Sequence, residues 1–224
     1  MTLLKTIWQR DGERVVAFGQ GGEVTLAELR RGSLQLARAM ARHAGASQPG
    51  ARWALCFDDS LLFTQALLAC ALGGYQAILP GHQRLAGLQA LQAQFDGLLT
   101  DGEPPGAALA VPQLRLPLLV ADDEREADGA ALLPERLDLT LFSSGSTGEL
   151  KAIPKAWPQL EAELRVQMAL WGERLVDTRV LASVSHQHIY GLLFRILLPL
   201  ALGLPFDRRS IDYPEQLALQ TAPW

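Results

Sequence analysis

Two patterns of apolar and polar positions recur along the chain. A continuous apolar run of strand length occurs at 53–57, as expected for a strand covered on both faces, and mainly apolar segments of strand length follow at 75–79 and 137–142. Between them, apolar side chains recur at helical spacing, most clearly over 26–44 and 61–72. Strands that alternate with helices predict parallel pairing, because parallel neighbours need a crossover connection. We therefore predict an α/β fold with a layered, mostly parallel sheet flanked by helices.

Capping residues and glycines mark the limits of these elements. Thr25, with Glu28 three residues later, forms a capping box at the start of the first long helix. Gly73-Gly74 ends the second long helix and leads into a strand, which completes a βαβ unit. The glycines at 19, 21 and 22 predict a hairpin turn. The other predictions are strands at 14–18, 97–100, 116–121 and 179–183, helices at 84–94, 157–171 and 190–202, a loop at 101–115 and an exposed charged linker at 122–136.

Composition excludes several classes of protein. Hydrophobic residues make up 49% of the 224 residues and charged residues 20%, which excludes a disordered chain. A net charge of −4 argues against a nucleic-acid partner. Cys56 and Cys70 lie in apolar runs without metal-site spacing, so we predict a reducing, cytoplasmic compartment. Gln65 and Gln76 interrupt the longest apolar run, 61–79, and we predict no membrane span.

A short polar segment after the strand at 137–142 carries the candidate chemistry. Residues 143–151 read SSGSTGELK, with four hydroxyl side chains, two glycines and one lysine. Glycines let several N–H groups point into one hollow, hydroxyls add neutral donors and lysine adds charge, which suits a polyphosphate. A polar surface turn is the alternative interpretation. The segment is not a Walker A loop, because Leu150 precedes Lys151 and Ala152 follows it.

This segment resembles the phosphate loop of the adenylate-forming enzymes, which include acyl- and aryl-CoA ligases, luciferases and nonribosomal adenylation domains. Their loop reads [T/S]-S-G-[S/T]-T-G-x-P-K-G, and residues 143–152 depart from it at Leu150 and Ala152. VTLAELRRGSLQLARAM is similar to an early helix of that family, and LLACALGGYQAILP to the segment that follows it. Residues 186–205, HQHIYGLLFRILLPLALGLP, are similar to the H-x-x-G region that lines the family's carboxylate pocket.

The resemblance assigns roles to individual residues but names no catalytic residue. It implies that the phosphates of ATP are bound by Ser143, Ser144, Gly145, Ser146, Thr147, Gly148 and Lys151. His188 and Gly191 would line the acid pocket, with a histidine satisfied by backbone contacts as the open alternative for His188. A solvated surface lysine is the alternative for Lys151, and Lys155 is expected on the surface. The spacing of His186 and His188, without a third ligand, predicts no metal site.

By the same resemblance, the parent protein uses ATP and Mg²⁺ to turn a carboxylic acid into an acyl-adenylate, then passes the acyl group to CoA or a carrier protein. The apolar helix after Gly191 favours a medium-chain or aromatic acid. The family's Y-G-x-T-E motif, ribose-binding aspartate and small C-terminal domain with its catalytic lysine are not found before Trp224.

Residues 1–224 are therefore expected to be an incomplete N-terminal AMP-binding domain that is inactive alone. We also expect this fragment to self-associate through apolar surface left uncovered near 192–204. A non-catalytic nucleotide- or anion-binding module, or an interaction fragment, is the rival interpretation.

Overall fold

The computed structural model describes residues 2–43, 45–118, 134, 136–144, 150–213 and 215–217. The helices are α1 (Leu3–Trp8), α2 (Leu26–Met40), α3 (Ser60–Gly73), α4 (Leu85–Ala90), α5 (Trp157–Trp171), α6 (Ile189–Gly191) and α7 (Leu198–Leu202), with a π-helical segment, Leu192–Leu197, joining the last two. Short 3₁₀ turns lie at Gln92–Gln94, Gly106–Ala108 and Gly172–Arg174. The strands are β1 (Val15–Phe18), β2 (Val24–Thr25), β3 (Arg52–Cys56), β4 (Gln76–Leu79), β5 (Gly97–Thr100), β6 (Gln113–Arg115), β7 (Leu139–Ser144), β8 (Leu150–Lys155) and β9 (Phe206–Asp207).

These strands form two sheets. The larger sheet has the order β6-β5-β3-β4-β7-β8, and every neighbouring pair in it is parallel except β7 with β8. In the smaller sheet, β1 pairs with β2 antiparallel and with β9 parallel. The mostly parallel α/β sheet and the hairpin turn between β1 and β2 are confirmed predictions.

Both faces of the larger sheet are covered. Along β3, Trp53 and Leu55 enter one apolar core, while Ala54 and Cys56 enter a second core on the opposite face. The first and larger core is built with α1, α2, α3, α5 and the helical run from α6 to α7. The second is closed by Leu88 on α4 and by Leu91 and Phe95, which follow that helix. Because successive strand residues point to opposite faces, two cores explain the continuous apolar run at 53–57.

Helix α3 is apolar on all sides because it lies inside the larger core. It packs against β3 and β4 and along α2. Asp59 caps its first turn, with Oδ1 accepting the N–H groups of Leu61 at 2.8 Å and Leu62 at 3.1 Å. Gly74 ends it in the left-handed conformation. No described helix is long and apolar enough to cross a membrane.

The capping box predicted for α2 is present. The N–H of Glu28 donates to Thr25 Oγ1 at 3.3 Å, and the N–H of Thr25 donates to Glu28 Oε2 at 2.7 Å. Two orphan donors of the first turn are thereby satisfied.

Strand β8 is the outer strand of the larger sheet and was not predicted. It begins within the polar segment and pairs antiparallel with β7, so that Pro154 lies opposite Thr140. Its side chains are exposed or half-buried, and the apolar alternation typical of a strand is therefore absent from its sequence.

Other predicted elements need correction. The predicted loop at 101–115 contains β6, and residues 116–118 of the predicted strand at 116–121 are not extended into a sheet. Residues 119–121 lie outside the described part of the chain, as does the predicted linker at 122–136 except for Pro134 and Arg136. The predicted strand at 179–183 is reduced to one parallel bridge between Val180 and Phe206.

The prediction of uncovered apolar surface near 192–204 is wrong. The apolar side chains Leu192, Ile196 and Ala201 are fully buried in the larger core. Apolar exposure occurs instead beyond the middle of α5, where Leu170 is 61% exposed and Trp171 42% exposed. The helical spacing predicts Trp171 on the buried face, but α5 extends past the core at that point. Self-association of the chain stays a prediction.

Candidate functional site

The candidate site lies at the carboxyl edge, the side of the larger sheet at which β3, β4, β5 and β7 end. Loops that follow three of these strands are bonded to one another. Asp101, after β5, accepts the N–H groups of Asp58 at 3.0 Å and Asp59 at 2.8 Å, both after β3. Gln83, after β4, donates to Asp58 Oδ1 at 2.7 Å. Burial raises the pKa of Asp101. Ligands of open α/β sheets bind outside this edge.

The polar segment connects β7 with β8 at the carboxyl edge. Ser143 pairs with Lys151 and Ser144 with Leu150, so residues 145–149 bridge the end of a hairpin. Ser143 is half-buried and the side chain of Lys151 is exposed. Gly145, Ser146, Thr147 and Gly148 lie outside the described residues, and their phosphate role stays a prediction. The structure thus places two of the predicted phosphate ligands on adjacent strands, opposite each other.

His188 lies beside the strands that lead to this hairpin. Gly81, directly after β4 and Pro80, has a φ of +80°, and a Cβ there would stand 2.9 Å from Phe142 O and 3.7 Å from His188 Cε1. Only glycine permits this backbone approach. The side chain of His188 is exposed, so the carboxyl edge brings His188 next to β4 and β7 with its ring open to solvent.

His186, two residues before His188, has a different environment. His186 is buried, and its ring nitrogens face Phe57 O at 2.9 Å and Ser60 Oγ at 3.0 Å. A carbonyl oxygen only accepts, so Nε2 carries the proton and Nδ1 accepts from the Ser60 hydroxyl. Burial, with the charge of Arg195 as a second cause, lowers the pKa of His186 to about 4. His186 is therefore neutral near pH 7.

Gln187 and Arg195 continue this buried network. The Gln187 amide donates to Leu55 O at 3.1 Å. Arg195 Nη1 donates to Val184 O at 3.0 Å and Ser210 Oγ at 2.5 Å, and burial lowers the Arg195 pKa. Arg195 lies in the π-helical segment, a feature that is common near functional sites. The network ties residues 184–187 to β3 and to the segment around Ser210 that follows β9.

Gly191 is buried and has a structural reason to be glycine. A Cβ at this position would stand 2.0 Å from Ser185 O, so α6 can begin against the preceding turn only without a side chain. The sequence resemblance predicts Gly191 in the acid pocket, and that role stays a prediction. His186, Gln187 and Arg195 were not identified as site residues, since their partners are remote in sequence.

The described part of the chain contains no group of three His, Cys, Asp or Glu side chains that could hold a metal ion. Lys155, at the far end of β8, pairs with Leu139 and lies away from the carboxyl edge.

The chain matches no protein-family model and no curated protein sequence. Its fold does match solved structures. O-succinylbenzoate coenzyme A synthetase from Bacillus subtilis in complex with AMP superposes with a TM-score of 0.73 at 20% identity, over 97% of this chain and 58% of that one. ATP-bound MatB from Rhodopseudomonas palustris gives 0.74 at 18% identity, over 98% and 48%.

The same synthetase has been solved with ATP and magnesium ion, with a TM-score of 0.71 at 19% identity, over 97% of this chain and 60% of that one. The chain thus spans between about half and three fifths of the length of these proteins. It has the α/β fold of the N-terminal lobe of adenylate-forming CoA ligases.

Proposed function

We propose that this chain is the ATP-binding part of a ligase that activates a carboxylic acid. The acid's carboxylate attacks the α-phosphorus of ATP, the bond to the pyrophosphate leaving group breaks, and an acyl-adenylate forms. A thiol of CoA or of a carrier protein then takes the acyl group and releases AMP. Catalysis of this kind depends on positioning and on electrostatic stabilisation of the phosphates.

One observation carries the proposal. Ser143 and Lys151 pair across β7 and β8 at the carboxyl edge, and they are the first and last residues of the SSGSTGELK segment. A hydroxyl and an ammonium group are thus placed at one end of a hairpin whose connection is rich in glycine and hydroxyl groups. Such a segment suits the β- and γ-phosphates. Mg²⁺ would arrive with the nucleotide and offset the charge of its oxygens.

His188 supports the assignment of the acid side. Its exposed ring lies near Gly81, between the end of β4 and the strand that leads to Ser143. An acid held there would have its carboxylate close to the proposed phosphate segment. Medium-chain and aromatic acids are the proposed substrates, and the acceptor thiol is proposed by analogy of fold.

Calorimetry with MgATP and purified chain tests the nucleotide half of the proposal. We expect saturable binding with one site, and no binding would overturn it. Pyrophosphate exchange, driven by octanoate or benzoate and measured on the protein encoded by the whole reading frame, tests the chemical half. Binding without any exchange would leave a non-catalytic nucleotide-binding module.

A further inference from the structure

The segment before His188 is exposed except at two polar residues. Residues 183–185 and 188–190 are exposed, whereas His186 and Gln187 between them are 2% and 4% exposed. Two polar side chains in succession, His186 and Gln187, therefore reach inward, and both bond to the end of β3. We call these two residues the anchors.

Both anchors bond to carbonyl oxygens at the end of β3. His186 Nε2 donates to Phe57 O at 2.9 Å, and the Gln187 amide donates to Leu55 O at 3.1 Å. Ser60, at the start of α3, holds the other ring nitrogen of His186 at 3.0 Å. The backbone preceding His188 is thereby fixed relative to the carboxyl edge from two directions.

We propose that His186 and Gln187 are positioning residues that hold His188 at the carboxyl edge, so that the bond from His186 to Phe57 sets how well the acid binds. The proposal rests on the proposed function, in which His188 faces the acid. Neither anchor touches substrate or nucleotide in this arrangement.

The path from the anchors to His188 is short and stiff. The N–H of His188 donates to Ser185 O at 3.3 Å, and His188 O accepts from Leu192 at 2.8 Å. Gly191 packs directly on Ser185 O, where a Cβ would stand at 2.0 Å. A shift of the anchors is therefore passed to His188, because the turn has no space in which to absorb it. Misplacement by about 1 Å can cost about 10²-fold in an active site.

An unpaired atom argues against a purely stabilising role. Gln187 Oε1 is buried and has no hydrogen-bond partner among the described residues. An apolar side chain of similar length would fill the space without this desolvation cost. Gln187 contributes a directed bond to Leu55 O instead, as expected for a residue that fixes backbone position.

A matched pair of variants tests the anchor at 186. The amide nitrogen of His186→Gln can occupy the place of Nε2 and keep the bond to Phe57 O, whereas that of His186→Asn reaches only the place of Nδ1. We expect His186→Asn to weaken octanoate or benzoate binding about fivefold, as loss of the His188 side chain itself would, and His186→Gln by less than about twofold. MgATP affinity should change by less than about twofold in both. Equal weakening of acid and MgATP binding would overturn the proposal.

Gln187→Met separates positioning from stability. It removes the bond to Leu55 O and also the unpaired Oε1. We expect weaker acid binding by several-fold with an unchanged urea midpoint. Unchanged acid binding in this variant would contradict the role of Gln187.

Amide hydrogen exchange at 188–192 separates failure of this proposal from failure of the proposed function. Should the unmodified chain bind neither octanoate nor benzoate, the acid side of the proposed function falls. Faster exchange at 188–192 in His186→Asn than in His186→Gln would still support the anchors. Equal exchange in the two variants would overturn them.

Discussion

The two sides of the candidate site, the proposed phosphate side and the proposed acid side, are held in place by different kinds of contact. On the phosphate side, Ser143 and Lys151 are held by the backbone ladder of β7 and β8, and Lys151 is exposed. On the acid side, His188 follows a segment fixed by buried side-chain bonds from His186, Gln187 and Arg195. The phosphate side is therefore open to substitution without loss of fold, whereas substitution of Arg195 or His186 behind the acid side also affects stability.

The largest expected effect is on the acid side, in Arg195→Met. Arg195 is 1% exposed and supports Val184 O and Ser210 Oγ, and its charge lies near Asp59 and Asp207. Removing one member of such a buried network typically costs about 3–5 kcal/mol. We expect urea denaturation at pH 7 to show a loss of about 3 kcal/mol.

Arg165→Met is the matched control for that substitution. Arg165 lies on the surface of α5 with a side chain that is 60% exposed and an ion pair to Glu161. Surface changes of this kind stay within about 0.5 kcal/mol. Equal stability losses in the two variants would remove the contrast between the buried and open sides.

Acid pH should destabilise the chain through His186. Its pKa in the folded chain is about 4, below the ordinary value of about 6.5 in the unfolded chain. The unfolded state therefore binds a proton first as the pH falls. The stability contributed by neutral His186 is complete above about pH 6.5 and is lost progressively down to about pH 4. At about 1.4 kcal/mol per pKa unit, the loss is roughly 3 kcal/mol.

Chemical denaturation at several pH values between 7 and 4, on the unmodified chain and on His186→Gln, checks this. The variant lacks the titrating ring, and its stability should fall less steeply over the same range. Parallel curves for the two proteins would show that groups other than His186 dominate the acid response.

A smaller effect is expected for Lys151→Ala on the phosphate side. A charged hydrogen bond contributes about 1.5–3 kcal/mol, which corresponds to a roughly 10- to 150-fold larger MgATP dissociation constant. Lys155→Ala is the control, because Lys155 pairs with Leu139, about 13 Å along β8 from Lys151. Calorimetry should show no change in the control, and equal effects in both would refute the assignment of Lys151.

The smallest effect is expected for His188→Ala. A single neutral hydrogen bond contributes about 1 kcal/mol, so acid affinity should fall about fivefold while MgATP affinity stays constant. Competition binding with octanoate and benzoate measures both the loss and any change of preference. A weaker MgATP affinity with unchanged acid binding would move His188 to the phosphate side.

The two sides also differ in what could be predicted from the sequence. The phosphate segment is contiguous, and its hydroxyls, glycines and lysine are recognisable at 143–151. The acid side depends on contacts between His186 and two residues, Ser60 and Phe57, that lie 126 and 129 positions away. No local pattern predicts such pairs, because they arise only when the strand order of the sheet is known.

Local sequence patterns predicted the buried strands and helices well and the edge strand of the sheet poorly. Strands β3 and β4 and helix α3 were predicted because burial on all sides leaves continuous apolar runs. Strand β8 escaped prediction because it lies at the edge with exposed side chains and contains Pro154. Its pairing comes from the hairpin with β7, and its sequence has no strand pattern of its own.

Pro154 has a consequence for the behaviour of the chain in concentrated solution. Proline has no N–H, so its pairing with Thr140 must be of the kind in which the backbone groups of both residues point away from each other. The place of the missing donor therefore lies on the outer side of β8. A strand from another molecule that approached the outer side of β8 would find one hydrogen-bond donor missing at Pro154. The fold thus discourages amyloid-like stacking at this edge of the sheet.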